Sequence, residues 1–547
     1  MDDRHIAKPV TAPERREKRR VFATGILIVV MFYCGQRLWH FSAIKTISHD
    51  AAVYLNICRQ LGETPEEVMS RYPRLARFAI VIERTAALLG GNIHESRIVA
   101  GRLISFIFGL GAAVGIWVLA MQFFGNIPVA VAGTLLFIAG KKFIFLTTDI
   151  LRGPPALCFG IWGLVAVTAV CKPAGLSRLR AITFPALAGL LAGLGAYFRP
   201  EVVLVLPIAI VTWFVMLLWP GGEKRSWRNF VVGCACLTAG FAIMLIPIVL
   251  MAQADSGQLA STIGRHVQSL KVRTETLRFV ENPVIEFAGK YFGSQHAVGA
   301  GLAVAWVVSA LWILFFRSRF LSDNVVRISR CGAVLMIVSW LILPVPIFIY
   351  YIRTGAMSHR YLMMIAAIMA GAAGAGLFGI CNPFRKKFEQ TGRPGIARSI
   401  FPAALCCLLG GIVFHARPPR TPSVRLQEQQ AGKYLSGIVD QDETLLSDNT
   451  LTIYFSRIPE ARVWKIDARA TIDINKGRKT KAEAILSCMD RFRKESFTYC
   501  SFNSKVESKE VKRRTIKMMS EAGYKLIKIF NNDKDKEAVM IFMRAAR

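Results

Sequence analysis

The chain has 547 residues, 53% of them hydrophobic and 19% charged, with a mean hydropathy of +0.40. This composition excludes an ordinary soluble protein and indicates an integral membrane protein with many spans. The net charge of +33 does not predict nucleic-acid binding, because the basic residues form short clusters between apolar runs, as membrane topology requires.

The N-terminal region combines a basic tail with one long apolar run. Residues 1–20 end in a cluster of Arg and Lys, and the run from Val21 to about Phe41 is long enough to cross a bilayer as a helix. The positive-inside rule then places the tail in the cytoplasm. Because no small-residue cleavage site follows the run, we expect a retained anchor rather than a signal peptide.

A carboxylate follows this first predicted span almost at once. Asp50 opens a stretch in which Tyr54, Ile57 and Leu61 recur at helical spacing. Two interpretations are open here: a general base held at the membrane surface, or a helix N-cap, where Asp is favoured. Residues of about 44–95 form the predicted outer loop, with amphipathic helices lying on the membrane surface.

Ten further apolar runs follow along the chain. They cover about 97–122, 128–147, 151–171, 182–198, 201–219, 230–251, 297–316, 331–351, 361–380 and 399–416. Together with the first run they predict about eleven transmembrane helices. The basic short connections all fall on the side of the N-terminus, whereas the long polar stretches 44–95, 253–296 and 417–547 fall on the other. We therefore expect these three stretches to be extracytoplasmic.

Residues 417–547 differ in composition from the rest of the chain. After the linker 417–420, strand patterns alternate with helical ones, which is typical of a small α/β domain. The predicted strands are 444–448, 461–466, 525–530 and 538–544, and the predicted helices are 481–494 and 511–522. Neither a Walker loop nor a GxGxxG motif is present, so a nucleotide site is not expected. The predicted domains are a basic tail (1–20), a membrane domain (21–416) and this C-terminal domain.

The twelve cysteines show no metal-binding spacing, and most lie in or beside apolar runs, where Cys acts as a small core residue. Cys488 and Cys500 lie in the polar C-terminal part. If that part is extracytoplasmic, the two residues can form a disulfide. The sequence alone favours neither a disulfide nor two free thiols.

Ionisable residues recur at the predicted outer face of the helices. They are Asp50, Asp149, Arg199, Glu201, Arg265, His266, Lys271, Arg273, His359 and Arg360. Ionisable residues at membrane depth are costly and are functional candidates by default. Each alone is better explained by interfacial snorkelling or by helix capping. Two carboxylates and several cations on one face together favour a functional site.

This combination suits sugar transfer from a polyprenyl-phosphate donor at the membrane surface. The anionic leaving group requires Arg, Lys or His to neutralise its developing charge. The acceptor hydroxyl requires a carboxylate base within hydrogen-bonding distance. The long lipid tail requires a groove among transmembrane helices.

Seven short segments resemble the GT-C superfamily of lipid-linked-sugar glycosyltransferases, close in pattern to protein O-mannosyltransferases and aminoarabinose transferases. They are His49–Tyr54, Tyr72–Leu75, Ala100–Ser105, Thr147–Asp149, Phe198–Glu201, His359–Leu362 and Gln430–Leu435. The first and fourth resemble the acidic motifs of the first and second outer loops, and the last resembles the start of an appended extracytoplasmic domain. Many relatives have Asp-Glu in the first loop, whereas Ala51 follows Asp50 here.

The resemblance implies a polytopic α-helical, GT-C-like membrane fold and an inverting hexosyl- or pentosyltransferase. Asp50 is then the general base, and Asp149 orients the acceptor or Asp50, or helps to hold a divalent cation, a question that stays open. Arg360, with His359, binds the donor phosphate. The other predicted substrate contacts are His49, Tyr54, Arg199, Glu201, Arg265, His266 and Tyr361.

The expected partners are a polyprenyl-phosphate-linked sugar, membrane lipids and a glycan, lipid or protein acceptor, without nucleic acid. We expect the bacterial inner membrane, with the active site and the C-terminal domain extracytoplasmic. A rival class is a secondary transporter of a lipid or anionic substrate, which often shows internal repeats and helices broken at mid-membrane. A non-enzymatic scaffold is a second rival, and it leaves the two acidic positions without a role.

Overall fold

The fold is seen in a computed structural model. It describes residues 12–44, 46–71, 73–171, 178–219, 227–253, 301–308, 326–348, 359–416, 423–440, 442–447, 449–459, 462–465, 497–505, 509–531 and 537–545. The chain divides into two compact units. The bundle unit comprises Met1–Leu38, Ile104–Thr148 and Arg152–Arg417, and the head unit comprises Trp39–Leu103, Asp149–Leu151 and Pro418–Arg547.

The elements are numbered in chain order. The helices are Ala12–Ala43 (α1), His49–Glu63 (α2), Pro65–Arg71 (α3), Pro73–Leu89 (α4), Ile93–Phe124 (α5), Ile127–Ile138 (α6), Lys141–Thr148 (α7), Gly153–Val170 (α8), Arg178–Phe198 (α9), Val205–Leu218 (α10), Trp227–Gln253 (α11), Arg330–Ile342 (α12), His359–Ile368 (α13), Ala370–Gln390 (α14), Pro394–His415 (α15), Ser423–Ile438 (α16), Thr450–Ser456 (α17) and Lys509–Glu521 (α18). The strands are Leu445–Ser447 (β1), Val463–Lys465 (β2), Tyr499–Lys505 (β3), Tyr524–Asn531 (β4) and Glu537–Arg544 (β5). A short 3-10 helix at Pro200–Leu204 precedes α10.

The predicted polytopic α-helical membrane fold is confirmed. Within the described ranges, eight helices are long and apolar enough to cross a membrane, or ten spans exist if each of two bent helix pairs counts as one. The bent pairs replace straight helices predicted at 128–147 and 361–380, and their bends are 69° and 41°. The predicted span 297–316 extends beyond the described residues, so the count of eleven stays a prediction.

The 69° bend between α6 and α7 has a local cause and a specific support. Gly140 lies at the break, and glycine weakens a helix because it loses the most backbone entropy on folding. Arg37 of α1 is fully buried, and its Nη2 donates to the Ile138 carbonyl at 2.9 Å. Its Nε donates to Thr147 Oγ1 at 2.8 Å. Arg37 thus links both arms of the bend and satisfies a carbonyl at the end of α6.

The C-terminal part of the head unit is built on a five-stranded sheet with the order β2-β1-β3-β5-β4. Strand β1 is parallel to both of its neighbours, and β5 is antiparallel to both of its own. Successive residues of a strand contribute to cores on opposite faces of the sheet, because their side chains point to opposite sides. Leu445 and Ile541 pack with Leu435 of α16, whereas Leu446 packs with Met519 of α18. The predicted helix 481–494 lies outside the described residues.

Cys500 lies in the second of these cores and carries a free thiol. Burial raises the pKa of this thiol, so it stays protonated at neutral pH. Cys488 lies outside the described residues. In this structure Cys500 takes no part in a disulfide, which favours the free-thiol alternative.

Candidate active site at the start of helix α2

Helix α2 begins with a side-chain cap that is not Asp50. Ser48 is the N-cap, and its hydroxyl accepts a hydrogen bond from the Ala51 backbone N–H at 3.1 Å. Serine is among the preferred residues at this position because its oxygen satisfies a helix N–H that has no helical partner. The N-cap interpretation of Asp50 is therefore wrong. Asp50 lies in the first turn of α2, where its carboxylate is exposed.

The second acidic motif contacts this same cap. Asp149 lies in the short connection between α7 and α8 and is only 6% exposed. Its Oδ1 accepts from the Ile150 backbone N–H at 2.9 Å and from the Ser48 backbone N–H at 3.4 Å. Its Oδ2 is buried and has no hydrogen-bond partner within the described ranges. The head unit thus brings Asp149 against the residue two positions before Asp50, with one carboxylate oxygen unused.

Helix α5 packs closely against the side chain of Ile150, the residue that follows Asp149. A Cβ atom at Gly101 would lie 2.6 Å from Cγ2 of Ile150, a distance that real Cβ atoms do not adopt. Glycine at 101 therefore lets the segment after Asp149 approach the helix. Arg102, which was not among the predicted site residues, donates to the Thr46 carbonyl at 2.9 Å and interacts electrostatically with Asp149. Its position as a charge near the start of an apolar run is the signal that marks it.

The described residues do not form a complete metal site. Within those ranges no three His, Cys, Asp or Glu side chains lie together as a candidate ligand set. Asp149 offers one unpartnered oxygen and Asp50 an exposed carboxylate. Divalent cations such as Mg²⁺ or Ca²⁺ prefer about six or more oxygen ligands, so water or substrate oxygens would have to supply the rest. Holding a divalent cation therefore stays one of the three alternatives for Asp149, beside orienting the acceptor and orienting Asp50.

Two further residues of the first motif pack within the head unit. His49 Nε2 lies 3.3 Å from Oε2 of Glu428, whose side chain is fully buried. Tyr54 is 7% exposed, and its ring meets that of Phe78 edge to face at 5.1 Å. Glu428 was not predicted from the sequence. The substrate contacts predicted for His49 and Tyr54 stay predictions.

The remaining predicted residues belong to the bundle unit or lie outside the description. Arg199 Nε and Glu201 Oε2 form an ion pair at 3.9 Å around the start of the 3-10 helix. Arg265 and His266 lie outside the described residues. Helix α13 begins at His359. The side chains of His359, Arg360 and Tyr361 lie outside the described part of the chain.

No family model matches the chain, and no curated protein matches its sequence. Solved structures do match it. The structure of ArnT from Cupriavidus metallidurans bound to undecaprenyl phosphate matches with a TM-score of 0.58 at 12% identity, over 94% of this chain and 97% of that one. The archaeal oligosaccharyltransferase AglB from Archaeoglobus fulgidus, in complex with an inhibitory peptide and a dolichol-phosphate, matches with a TM-score of 0.56 at 12% identity, over 97% and 74% of the two chains.

The arabinofuranosyltransferase AftD from Mycobacteria gives a TM-score of 0.50 at 12% identity, over 95% of this chain and 40% of that chain. Identities this low concern the fold alone. The first two matches extend over nearly the whole of this chain and most of the other, so they include the helices and the C-terminal part together. The chain has the GT-C fold that these solved structures share.

Proposed function

We propose that the protein is an inverting glycosyltransferase that moves a hexosyl or pentosyl group from a polyprenyl-phosphate donor to a glycan, lipid or protein acceptor. The observation that carries the proposal is the contact of Asp149 with Ser48, which sets the second acidic motif against the helix turn that holds Asp50. The ArnT structure with undecaprenyl phosphate and the AglB structure with dolichol-phosphate support a polyprenyl-phosphate donor.

The proposed reaction is a single displacement. The acceptor hydroxyl oxygen attacks the anomeric carbon, while Asp50 accepts the hydroxyl proton. The bond between the anomeric carbon and the phosphate oxygen breaks, and polyprenyl phosphate leaves with the bonding electrons. Arg360 and His359 stabilise the charge that develops on the phosphate. Asp149 holds the backbone before Asp50 through the Ser48 N–H.

Transfer of label from donor to acceptor tests this proposal. Membranes that contain the protein are supplied with a polyprenyl-phosphate donor carrying a radiolabelled sugar. We expect the label to move into a product that is no longer attached to the polyprenyl phosphate. Label that stays on the donor with every sugar and acceptor fraction tried would contradict the proposal.

A secondary transporter is the second candidate, and the two bent spans are the observation that favours it. The charge at the sharper bend argues against a transport path there. The Arg37 guanidinium is fully buried and bonds the oxygens of Gln36, Ile138 and Thr147. The guanidinium N–H groups that would bind an anionic substrate are therefore already bonded within the protein.

Replacement of Arg360 by Ala tests the donor-phosphate contact. Charge-assisted hydrogen bonds contribute about 1.5–3 kcal/mol, so we expect the KM for the donor to rise by roughly 10- to 100-fold. Arg360→Lys should recover only part of the loss, because Lys lacks the planar fork that binds phosphate. The measurement is initial rate against donor concentration. An unchanged donor KM in folded Arg360→Ala protein would remove Arg360 from the mechanism.

The proposed location predicts a definite membrane topology. The active site and the C-terminal domain are extracytoplasmic in this proposal, in the inner membrane of a bacterium. Reporter fusions at Arg178, Lys224 and Lys386 should therefore read as cytoplasmic, because these residues belong to the basic clusters between the apolar runs. A fusion at Gly432 should read as extracytoplasmic. A cytoplasmic signal at Gly432 would contradict the proposed extracytoplasmic location of the C-terminal domain.

A further inference from the structure

Glu428 is a buried carboxylate for which the proposed reaction has no direct use. Its side chain is fully buried, and its Oε2 lies 3.3 Å from Nε2 of His49. Removing a carboxylate from water is costly unless hydrogen bonds and charge pairing offset the loss. A protonated ring forms an ion pair with the carboxylate across this distance, and the Nε2–H tautomer of a neutral ring presents an N–H to it. Since His49 directly precedes Asp50, the pair holds the first turn of α2.

Glu428 is itself held firmly by the neighbouring helix α17. The Thr452 hydroxyl donates to the Glu428 backbone carbonyl at 3.2 Å. Gly432 lies one helical turn further along, on the same face of α16. A Cβ atom there would lie 2.7 Å from the Thr452 carbonyl oxygen, so only glycine allows the two backbones to approach this closely. The position of Glu428 is therefore fixed by backbone packing as well as by its side chain.

The start of α17 is fixed in turn, and it binds α2 at a second point. Asn449 caps α17, and its Oδ1 accepts from the backbone N–H groups of Leu451 and Thr452 at 2.8 and 3.2 Å. The next residue, Thr450, accepts a hydrogen bond at its carbonyl from Nδ2 of Asn56 at 3.1 Å. Asn56 lies about two turns beyond His49 on α2. Two separate contacts with the C-terminal part thus set the direction of the helix that carries Asp50.

We propose that Glu428 is a positioning residue for sugar transfer, which acts through His49 to fix the first turn of α2 and the direction of the Asp50 carboxylate. This inference rests on the proposed function, in which Asp50 is the base. It assigns His49 to positioning rather than to contact with the donor. It also makes the C-terminal part of the chain a contributor to catalysis.

The test is a double-mutant cycle with His49→Ala, Glu428→Met and both together, in the purified full-length protein. Methionine fills a similar volume, and replacing a buried charged group by an apolar one is often neutral or stabilising, so the thermal midpoint should not fall by much for Glu428→Met. Displacing a reacting group by about 1 Å costs on the order of 100-fold in rate, so we expect each single variant to lower kcat by roughly 10- to 100-fold. The donor KM should change by no more than about twofold.

The double variant should be no slower than the worse single variant, because both residues act along one path. Glu428→Gln keeps an acceptor oxygen for His49 and should recover most of kcat. Asp442→Asn is the matched control, because this carboxylate also lies in the head unit and its side chain is 95% exposed. Hydrogen exchange of the amides of residues 49–52 should be faster in Glu428→Met and unchanged in Asp442→Asn.

Two results would overturn the positioning role. One is a wild-type kcat for Glu428→Met beside an inactive Asp50→Asn protein, which would leave the proposed function intact. The other is a double variant whose fall in kcat equals the product of the two single falls, with each fall in kcat matched by a fall in thermal midpoint. That result would show that the two residues contribute to stability alone. An active Asp50→Asn protein would instead remove the proposed base, whatever the Glu428 variants do.

Discussion

Asp50→Asn is expected to lower the turnover of sugar transfer by about 10²–10⁴-fold, the usual contribution of a general base. Asparagine keeps the shape of the side chain but cannot accept the acceptor's proton at neutral pH. Loss of a helix cap does not explain such an effect, because Ser48 supplies the cap of α2. Donor affinity should persist, since the proposed phosphate contacts belong to other residues.

The measurement is transfer rate and donor affinity for wild type and Asp50→Asn side by side. Glu63→Gln is the matched control, because Glu63 is an exposed carboxylate in the last turn of the same helix. Its turnover should equal that of the wild type. Near-normal transfer by Asp50→Asn would remove Asp50 as the base.

The second large effect is expected at Asp149. Two substitutions separate its contribution to stability from its contribution to turnover. Asp149→Ala removes the acceptor of the Ser48 and Ile150 N–H groups. Each buried N–H left without a partner costs about 1–3 kcal/mol, so the free energy of unfolding should fall. Asp149→Asn keeps an acceptor oxygen and should remain close to wild type in stability.

Turnover should nevertheless fall by about 10²-fold in Asp149→Asn, the scale of one electrostatic contact in an active site. The reason is that an NH₂ group would replace Oδ2, the buried oxygen that has no hydrogen-bond partner among the residues that the structure describes. Thermal midpoints and kcat for the two variants provide the measurement. Full turnover in Asp149→Asn would confine Asp149 to holding the backbone before Asp50.

Hydropathy and charge predict most of the membrane architecture, because a helix in a bilayer must be long and apolar. The break after Ile138 could not be predicted, since its support comes from Arg37 on another helix. Strand β3 was missed as well. Its residues Ser501, Asn503 and Ser504 are poor strand formers, and pairing with β1 and β5 on either side decides its structure.

The sequence singles out the two acidic residues of the candidate site. It does not reveal the residues that hold their backbone in place. A carboxylate after an apolar run stands out in the sequence, as Asp50 and Asp149 do. The choice between Ser48 and Asp50 as the cap was not predictable, because both residue types are favoured there. Glu428 lies in a distant part of the chain, and only the folded head unit brings it to His49.

Release of polyprenyl phosphate is the measurement that tests the central claim most directly. The purified protein is reconstituted in liposomes with a polyprenyl-phosphate sugar and an acceptor extract, and the lipids are analysed by mass spectrometry over time. We expect free polyprenyl phosphate to appear together with a glycosylated product in the wild type, and at about 10²–10⁴-fold lower rate with Asp50→Asn. A donor that crosses the bilayer intact, or that is neither cleaved nor moved, would contradict the assignment of this protein as a glycosyltransferase.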